Sequence, residues 1–138
     1  MKKNNKGFTM IELLAAIVIL GILTGLAFNT YFRYIEKTKE QAYDTLASSA
    51  ISATESYLMD HPTATQVDFN TLVENEYLET TKDPGNKERT CTGTVKITKE
   101  VGDLNKLDKN DFTVNLCCSL KNITYTKDGK TETSTCNA

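Results

Sequence analysis

The chain has 138 residues, of which 39% are hydrophobic and 25% are charged, and this composition favours a folded protein over general disorder. Its formal net charge of −2 argues against a dedicated nucleic-acid-binding protein, so nucleic acid is not expected as a partner. The length allows one small domain plus one appended element.

The N-terminus combines a short basic head with a long apolar run. Lys2, Lys3 and Lys6 precede about twenty mostly apolar residues, enough for a helix to cross a bilayer. With the lysines held inside, the chain would be oriented N-in and C-out. The run is too long for an ordinary secretory signal peptide and lacks a clear small-residue cleavage site. A plain transmembrane anchor and a leader that is cut ahead of the run remain.

A single carboxylate, Glu12, separates these alternatives. It lies inside the apolar run, where a charged side chain costs roughly 2.5–3.5 kcal/mol on insertion scales, and a plain anchor gives no reason for it. A cut between Gly7 and Phe8 creates a positive α-amine one helical turn away, and the amine of a neighbouring subunit can neutralise Glu12 in a low-dielectric bundle. Snorkelling of Glu12 into the lipid headgroups is the alternative.

The residues around Glu12 form a recognisable motif. The segment from Lys6 to Leu14, KGFTMIELL, resembles the cleavage and methylation motif of type IV pilins and type II secretion pseudopilins. In that family a prepilin peptidase cuts after the glycine and methylates the new N-terminal residue. The resemblance therefore implies a leader of residues 1–7, cleavage after Gly7 and N-methylation of Phe8.

The consequences of that resemblance extend to partners and localisation. It implies a structural subunit that waits in the membrane lipid, is extracted by an inner-membrane assembly platform, and polymerises with copies of itself and related pilins into an extracellular pilus. The resemblance leaves the role of the filament open among adhesion, motility, DNA uptake and secretion. A minor pilin, a type II secretion pseudopilin and a competence pilin remain open, as does a non-polymerising, membrane-anchored surface binding domain. The protein is not expected to be an enzyme, and no cofactor or metal site is expected.

A single long helix is predicted for the first part of the chain. No proline occurs from Phe8 to His61, so residues 8–28 form a membrane or filament-core half and residues 29–61 an amphipathic half. Many type IV pilins have a kink-forming proline where this chain has Asn29, so no such kink is expected. The amphipathic half repeats apolar residues at three- and four-residue steps, which suits packing on a sheet: Ala42, Tyr43, Leu46, Ala47, Ala50, Ala53, Tyr57 and Leu58.

Two glycines interrupt the apolar half. Gly21 and Gly25 form a G-x-x-x-G pattern, which favours close helix packing. Glycine also costs about 1 kcal/mol relative to alanine in a helix, so the pair can loosen it. The plain frequency of glycine in membrane helices is an equally good explanation.

Residues 62–90 are predicted to connect the helix to a sheet. Asp68 is placed to cap a short helix that runs to Leu78. The composition of Asp83-Pro84-Gly85-Asn86 indicates a turn. The connection would correspond to the αβ-loop of the pilin family.

The remaining residues, 91–138, read as strands. Apolar residues alternate along 94–101 and 112–120, and Asp128-Gly129 marks a hairpin between 123–126 and 131–135. We therefore expect an α+β protein in which a long N-terminal helix packs on an antiparallel sheet of three or four strands, the pilin fold.

Four cysteines fall within residues 91–138, without the paired spacing of a zinc site. An even count behind a hydrophobic N-terminus favours disulfides in an oxidising compartment. Neighbouring strand residues face opposite sides, so Cys117 and Cys118 should not pair with each other. Strand parity favours Cys91–Cys118 and Cys117–Cys136, and the crossed pairing remains open.

Three other features are interpreted structurally. His61, the only histidine, is expected to cap the helix end or to lie in solvent rather than to act in catalysis. The acidic loop 103–111 fails the spacing of an EF-hand, which favours a solvated loop over a calcium site. Asn122-Ile123-Thr124 is a formal glycosylation sequon of a kind that occurs often by chance.

Overall fold

The computed structural model describes residues 7–98, 107–119, 121–133 and 136. The elements follow in the order α1 (Met10–Asp60), β1 (Gln66–Asp68), α2 (Phe69–Glu74), β2 (Thr92–Ile97), a 3-10 turn (Lys109–Asp111), β3 (Phe112–Cys118), β4 (Lys121–Thr126) and β5 (Gly129–Thr133). The chain divides into two compact units: residues 1–38 and residues 39–138, the latter called the sheet unit here. The predicted α+β class, a long N-terminal helix with a small antiparallel sheet, is confirmed.

The predicted long helix is present as α1 and begins two residues later than expected. It continues through Asn29, in agreement with the absence of proline there. It ends at Asp60, where the amide of His61 donates to the carbonyl of Tyr57 at 2.9 Å. Pro62 has no amide hydrogen with which to continue the hydrogen bonding.

Within the sheet unit, α1 buries the face that its sequence pattern predicts. Tyr43, Ala47, Ala50 and Leu58 join the core with side chains from the sheet. Ala53 is buried on the same face, in a second group with Val67 and Leu72. The pattern did not predict the burial of Thr54, whose hydroxyl is satisfied by the carbonyl of Ala50 at 2.8 Å.

The sheet has five antiparallel strands in the order β1-β2-β3-β4-β5, one more than the upper expectation. The additional strand is β1, which lies within the segment predicted as a connection and pairs with β2 through Val67 and Val95. Three residues with one apolar side chain give no readable alternation, which explains the omission. β2 begins at Thr92, earlier than predicted, and the predicted ends of two strands, Val101 and Leu120, lie outside the described residues.

Alternation sorts the strand residues into an inner and an outer face. The inner face meets α1 and α2 and consists of apolar side chains: Val67, Val95, Ile97, Phe112, Val114, Leu116, Cys118 and Ile123. The outer face carries polar residues, among them the row formed by Asp68, Thr94, Asn115, Thr124 and Thr131. This in-and-out pattern is that of an antiparallel sheet with one face solvated.

Tight turns set the register of the last three strands. Cys118 pairs with Lys121 across one hairpin, and Thr126 pairs with Gly129 across the next. The predicted hairpin at Asp128-Gly129 is confirmed by the antiparallel pairing of β4 with β5. Gly129 has φ 137°, a conformation that favours glycine.

The short helix after β1 ends earlier than predicted, at Glu74 rather than near Leu78. Glu76 adopts φ 62°, and the amide of Tyr77 then donates to the carbonyl of Leu72 at 2.9 Å. This left-handed residue closes the helix as a glycine would. Asp68 occupies the predicted N-cap position, but its side chain makes no capping hydrogen bond.

Candidate assembly site on the N-terminal helix

The predicted cleavage residues lie ahead of α1 in non-helical, exposed chain. Gly7 and Phe8 are both exposed, Phe8 to 89%. A peptide bond in this position is not protected by helical hydrogen bonds or by packing. The predicted leader residues before Gly7 lie outside the described part of the chain.

Glu12 occupies the first turn of α1 and has a partner that the sequence interpretation missed. Its carboxylate Oε2 accepts from the backbone amide of Thr9 at 2.8 Å and from the Thr9 hydroxyl at 2.9 Å. The amide of Glu12 lies 3.4 Å from the same hydroxyl. The two residues form a reciprocal capping box, whose signature T-x-x-E is readable in the sequence.

This geometry defines what Glu12 can do electrostatically. A carboxylate at a helix N-terminus is stabilised by the helix dipole and by amides that have no helical acceptor. Both groups that Thr9 offers to it are neutral. The carboxylate already makes the hydrogen bonds from Thr9 charge-assisted, and a cation brought next to Glu12 would add a direct ion pair to them.

The first unit presents an apolar surface that the described part of the chain leaves exposed. Its large hydrophobic side chains from Phe8 to Tyr34 are between 51% and 89% exposed. By length and composition this part of α1 can cross a membrane, a test that a signal sequence also passes. A Cβ placed on Gly21 or on Gly25 meets nothing within 4 Å. The described chain therefore gives neither glycine a packing role within the subunit.

A second polar site, also missed from sequence, lies inside the sheet unit. The carboxylate of Asp83 is 1% exposed and accepts from the Tyr43 hydroxyl at 3.0 Å, from the amide of Gly85 at 2.7 Å and from the hydroxyl of Ser119. The residue thus joins α1, the turn after Pro84 and the β3–β4 hairpin. The turn predicted at residues 83–86 is present, with this carboxylate as its anchor.

Hydrogen bonding and burial act in opposite directions on Asp83. Burial raises the pKa of this carboxyl, but the hydrogen bonds from Ser119, Gly85 and Tyr43 outweigh it and hold the pKa below its usual range. Burial, followed by the bond to Asp83, raises the pKa of Tyr43 to about 12. Asp83 is therefore ionised, and Tyr43 remains its donor, throughout the neutral pH range.

The cysteines form two disulfides, Cys91–Cys118 and Cys117–Cys136, and these are the pairs that strand parity favours. The first is buried next to Asp83, whose carboxylate and the two sulfur atoms lie within 4.8 Å of one another. A disulfide has no thiolate to offer a metal ion, so this group is a packed polar cluster rather than a metal centre.

The remaining candidate residues have structural surroundings. His61 stacks on Tyr57 at 4.2 Å between ring centroids, and its Nδ1 lies 3.3 Å from the carbonyl of Tyr57, as expected for a helix-end residue. In the acidic loop, residues 103–106 lie outside the described chain, and Asp108 caps the 3-10 turn. Asn122 of the sequon is half-buried in β4.

Comparison with known proteins bears on the N-terminal segment alone. Neither the curated proteins nor the solved structures gave a significant match. Residues 2–28 match the family described as the prokaryotic N-terminal methylation motif. This stretch includes Gly7, Phe8, Thr9 and Glu12. The chain therefore carries the prepilin-type signal found in type IV pilins and pseudopilins.

Proposed function

We propose that this chain is a structural subunit of a type IV pilus-like filament. It is cut between Gly7 and Phe8 by a prepilin peptidase, methylated on Phe8 and polymerised through α1. The observation that supports this most strongly is the uncovered apolar half of α1, with Glu12 at its start, inside the segment that matches the methylation motif.

Before assembly, residues 8–28 anchor the subunit in the membrane with the sheet unit outside. Membrane and filament core are both apolar, so transfer between them changes the hydrophobic free energy little. The inner-membrane assembly platform then moves the subunit from one to the other. Gly21 and Gly25 serve this step by allowing close approach of neighbouring helices, since a Cβ on either would touch no other part of the described chain.

Glu12 acts as the assembly residue. In the single subunit the Thr9 capping box satisfies the carboxylate with neutral donors. In the filament the α-amine of Phe8 from a neighbouring subunit supplies the positive charge that this carboxylate lacks. The pairing is strong in a low-dielectric core, and a subunit docked in the wrong register leaves the charge unpaired.

The test compares two carboxylates on the same helix. Glu12→Ala should insert into the membrane normally but form no filaments, or few. Glu36→Ala is the control, because Glu36 is an exposed carboxylate of α1 beyond the apolar run, and it should assemble like the parent. Surface filaments are measured by electron microscopy and shearing, and insertion by membrane fractionation. Normal filaments from Glu12→Ala would contradict the pairing.

N-terminal sequencing distinguishes the proposal from its competitor outside the filament class. A mature chain that begins with methylated Phe8 supports the pilin. An intact Met1 would instead identify a membrane-anchored binding domain, and a start beyond Asn29 a secreted one.

A further inference from the structure

The two disulfides of the sheet unit differ in their surroundings. Cys91 and Cys118 are 1% and 0% exposed, whereas Cys117 and Cys136 are both half-buried. A disulfide opens when a thiolate attacks one of its sulfur atoms, so its rate of reduction depends on access to those atoms. The sheet unit therefore contains one disulfide that a reductant can reach and one that the fold closes to it.

A neighbouring charge protects the buried disulfide further. The carboxylate of Asp83 lies within 4.8 Å of the sulfur atoms of Cys91 and Cys118, and it is ionised at neutral pH because its hydrogen bonds hold its pKa below the usual value. Attack on this disulfide would place a second negative charge, first on the attacking sulfur and then on the leaving one, beside that carboxylate in a site of low dielectric. Burial and charge thus protect the same bond.

The second disulfide is open to attack from the outer face of the sheet. Cys117 lines an open cavity of about 270 Å³ there, together with Thr92 and Asn115. A thiolate that enters from this side forms a bond to the Cys117 sulfur and displaces Cys136 as a thiolate, which then takes up a proton. The cavity therefore determines which of the two sulfur atoms is attacked and which one leaves.

A buried acceptor beside Cys117 favours the opened form. Asn122 lies directly opposite Cys117 in the pairing of β3 with β4, and its Oδ1 atom is buried with no hydrogen-bond partner among the described residues. A buried acceptor without a donor costs free energy, and a disulfide has no hydrogen to offer it. Because opposite side chains have Cβ atoms about 4.5–5.5 Å apart, the thiol that reduction creates at Cys117 is within reach of this oxygen as a donor.

We propose that Cys117–Cys136 is a site of reversible thiol–disulfide exchange with a dithiol protein outside the cytoplasm. The first thiolate of the partner bonds to Cys117 and releases Cys136, and its second thiolate then displaces Cys117 from the mixed disulfide. The partner leaves as a disulfide, and this chain has gained two electrons and two protons as two thiols. The exchange frees the chain at residue 136, while Cys91–Cys118 and the pairing of β3 with β4 keep the fold. It uses no residue of the α1 assembly site and does not depend on the filament assignment.

The first test measures which disulfide opens. The full chain in detergent micelles is treated with dithiothreitol without denaturant, thiols are alkylated at intervals, and the peptides are mapped by mass spectrometry. Cys117 and Cys136 should be alkylated at least about a hundredfold faster than Cys91 and Cys118, because a buried disulfide reacts only in the small unfolded fraction of molecules. The near-ultraviolet circular dichroism should keep its folded signal while only Cys117–Cys136 is open. Equal rates for the two disulfides, or loss of that signal when Cys117–Cys136 opens, would overturn the proposal.

The second test concerns the acceptor on Asn122. In mixtures of reduced and oxidised dithiothreitol, Asn122→Ala should need a ratio of reduced to oxidised reagent about threefold to tenfold higher than the parent to open half of Cys117–Cys136, as expected when the reduced form loses one hydrogen bond. Asn115→Ala is the control, because it removes another carboxamide that lines the same cavity, and it should titrate like the parent. A parental ratio for Asn122→Ala would refute the part assigned to Asn122. Both tests use the purified chain, so their failure remains distinct from a failure of the filament assignment.

Discussion

Replacing Tyr43 with phenylalanine removes one buried hydroxyl and leaves the ring in place. That hydroxyl donates to the ionised carboxylate of Asp83 at 3.0 Å, and a hydrogen bond to a charged group contributes about 1.5–3 kcal/mol. Gly85 and Ser119 still donate to the carboxylate in the variant. We therefore expect the free energy of unfolding to fall by about 1.5 kcal/mol, the lower end of that range. In a unit of this size that lowers the melting temperature by about 6–12 °C.

The matched control is Tyr125→Phe. The Tyr125 hydroxyl also donates to an aspartate, Asp44, at 2.9 Å, but the side chain of Asp44 is 55% exposed. Water replaces a lost partner at such a site, so the expected loss is at most about 0.5 kcal/mol. Urea and thermal unfolding of both full chains in micelles, followed by near-ultraviolet circular dichroism, give the comparison. Equal losses in the two variants, or no loss in Tyr43→Phe, would refute the reasoning.

The free energy that the Tyr43 hydroxyl contributes to folding should depend on pH. Because the folded pKa of Asp83 is lowered, the ionised carboxylate stabilises the fold fully above the ordinary aspartate pKa of 3.8. That contribution is lost as the pH falls through the folded pKa. The stability difference between the parent and Tyr43→Phe should therefore hold at neutral pH and narrow in strong acid.

Two further predictions concern packing and covalent links. Gly93→Ala should destabilise the sheet unit by about 1–3 kcal/mol in urea unfolding, because its Cβ would lie 2.4 Å from a backbone carbonyl oxygen of β3. A urea midpoint equal to that of the parent would show that the strands can move apart at this position. Non-reducing peptide mapping should recover Cys91–Cys118 and Cys117–Cys136. Replacing both cysteines of the second pair with serine should lower the free energy of unfolding by about 3 kcal/mol, because that disulfide joins residues with a sequence separation of 19. Crossed peptides would contradict the pairing.

Local periodicity made much of this molecule predictable from sequence. The face of α1 that includes Tyr43 and Ala50 follows from a three- and four-residue repeat, and the inner face of β3 from strict alternation. The same alternation separates Cys117 from Cys118. Each of these signals lies within a short window of chain, so no knowledge of the tertiary fold is required.

The features that sequence reasoning missed depend on distant partners or on short elements. Asp83 contacts Tyr43 and Ser119, which lie 40 and 36 residues away along the chain. The composition that predicts a turn at residues 83–86 therefore gives no indication that the side chain of Asp83 is buried. The capping box of Thr9 and Glu12 has a local signature, T-x-x-E, but the free-energy cost of a carboxylate in an apolar run equally favours a partner in another subunit.

The adjacent cysteines of β3 have a mechanical consequence. Cys118 is bonded back to Cys91 and Cys117 forward to Cys136, so a covalent route leads from residue 136 to residue 91 through a single peptide bond. A pulling force applied at the two ends of the chain follows this route and bypasses the intervening hairpins. The hairpin segments therefore add almost no length when the protein is stretched. Tension can lengthen the sheet unit only through the residues that precede Cys91 or follow Cys136.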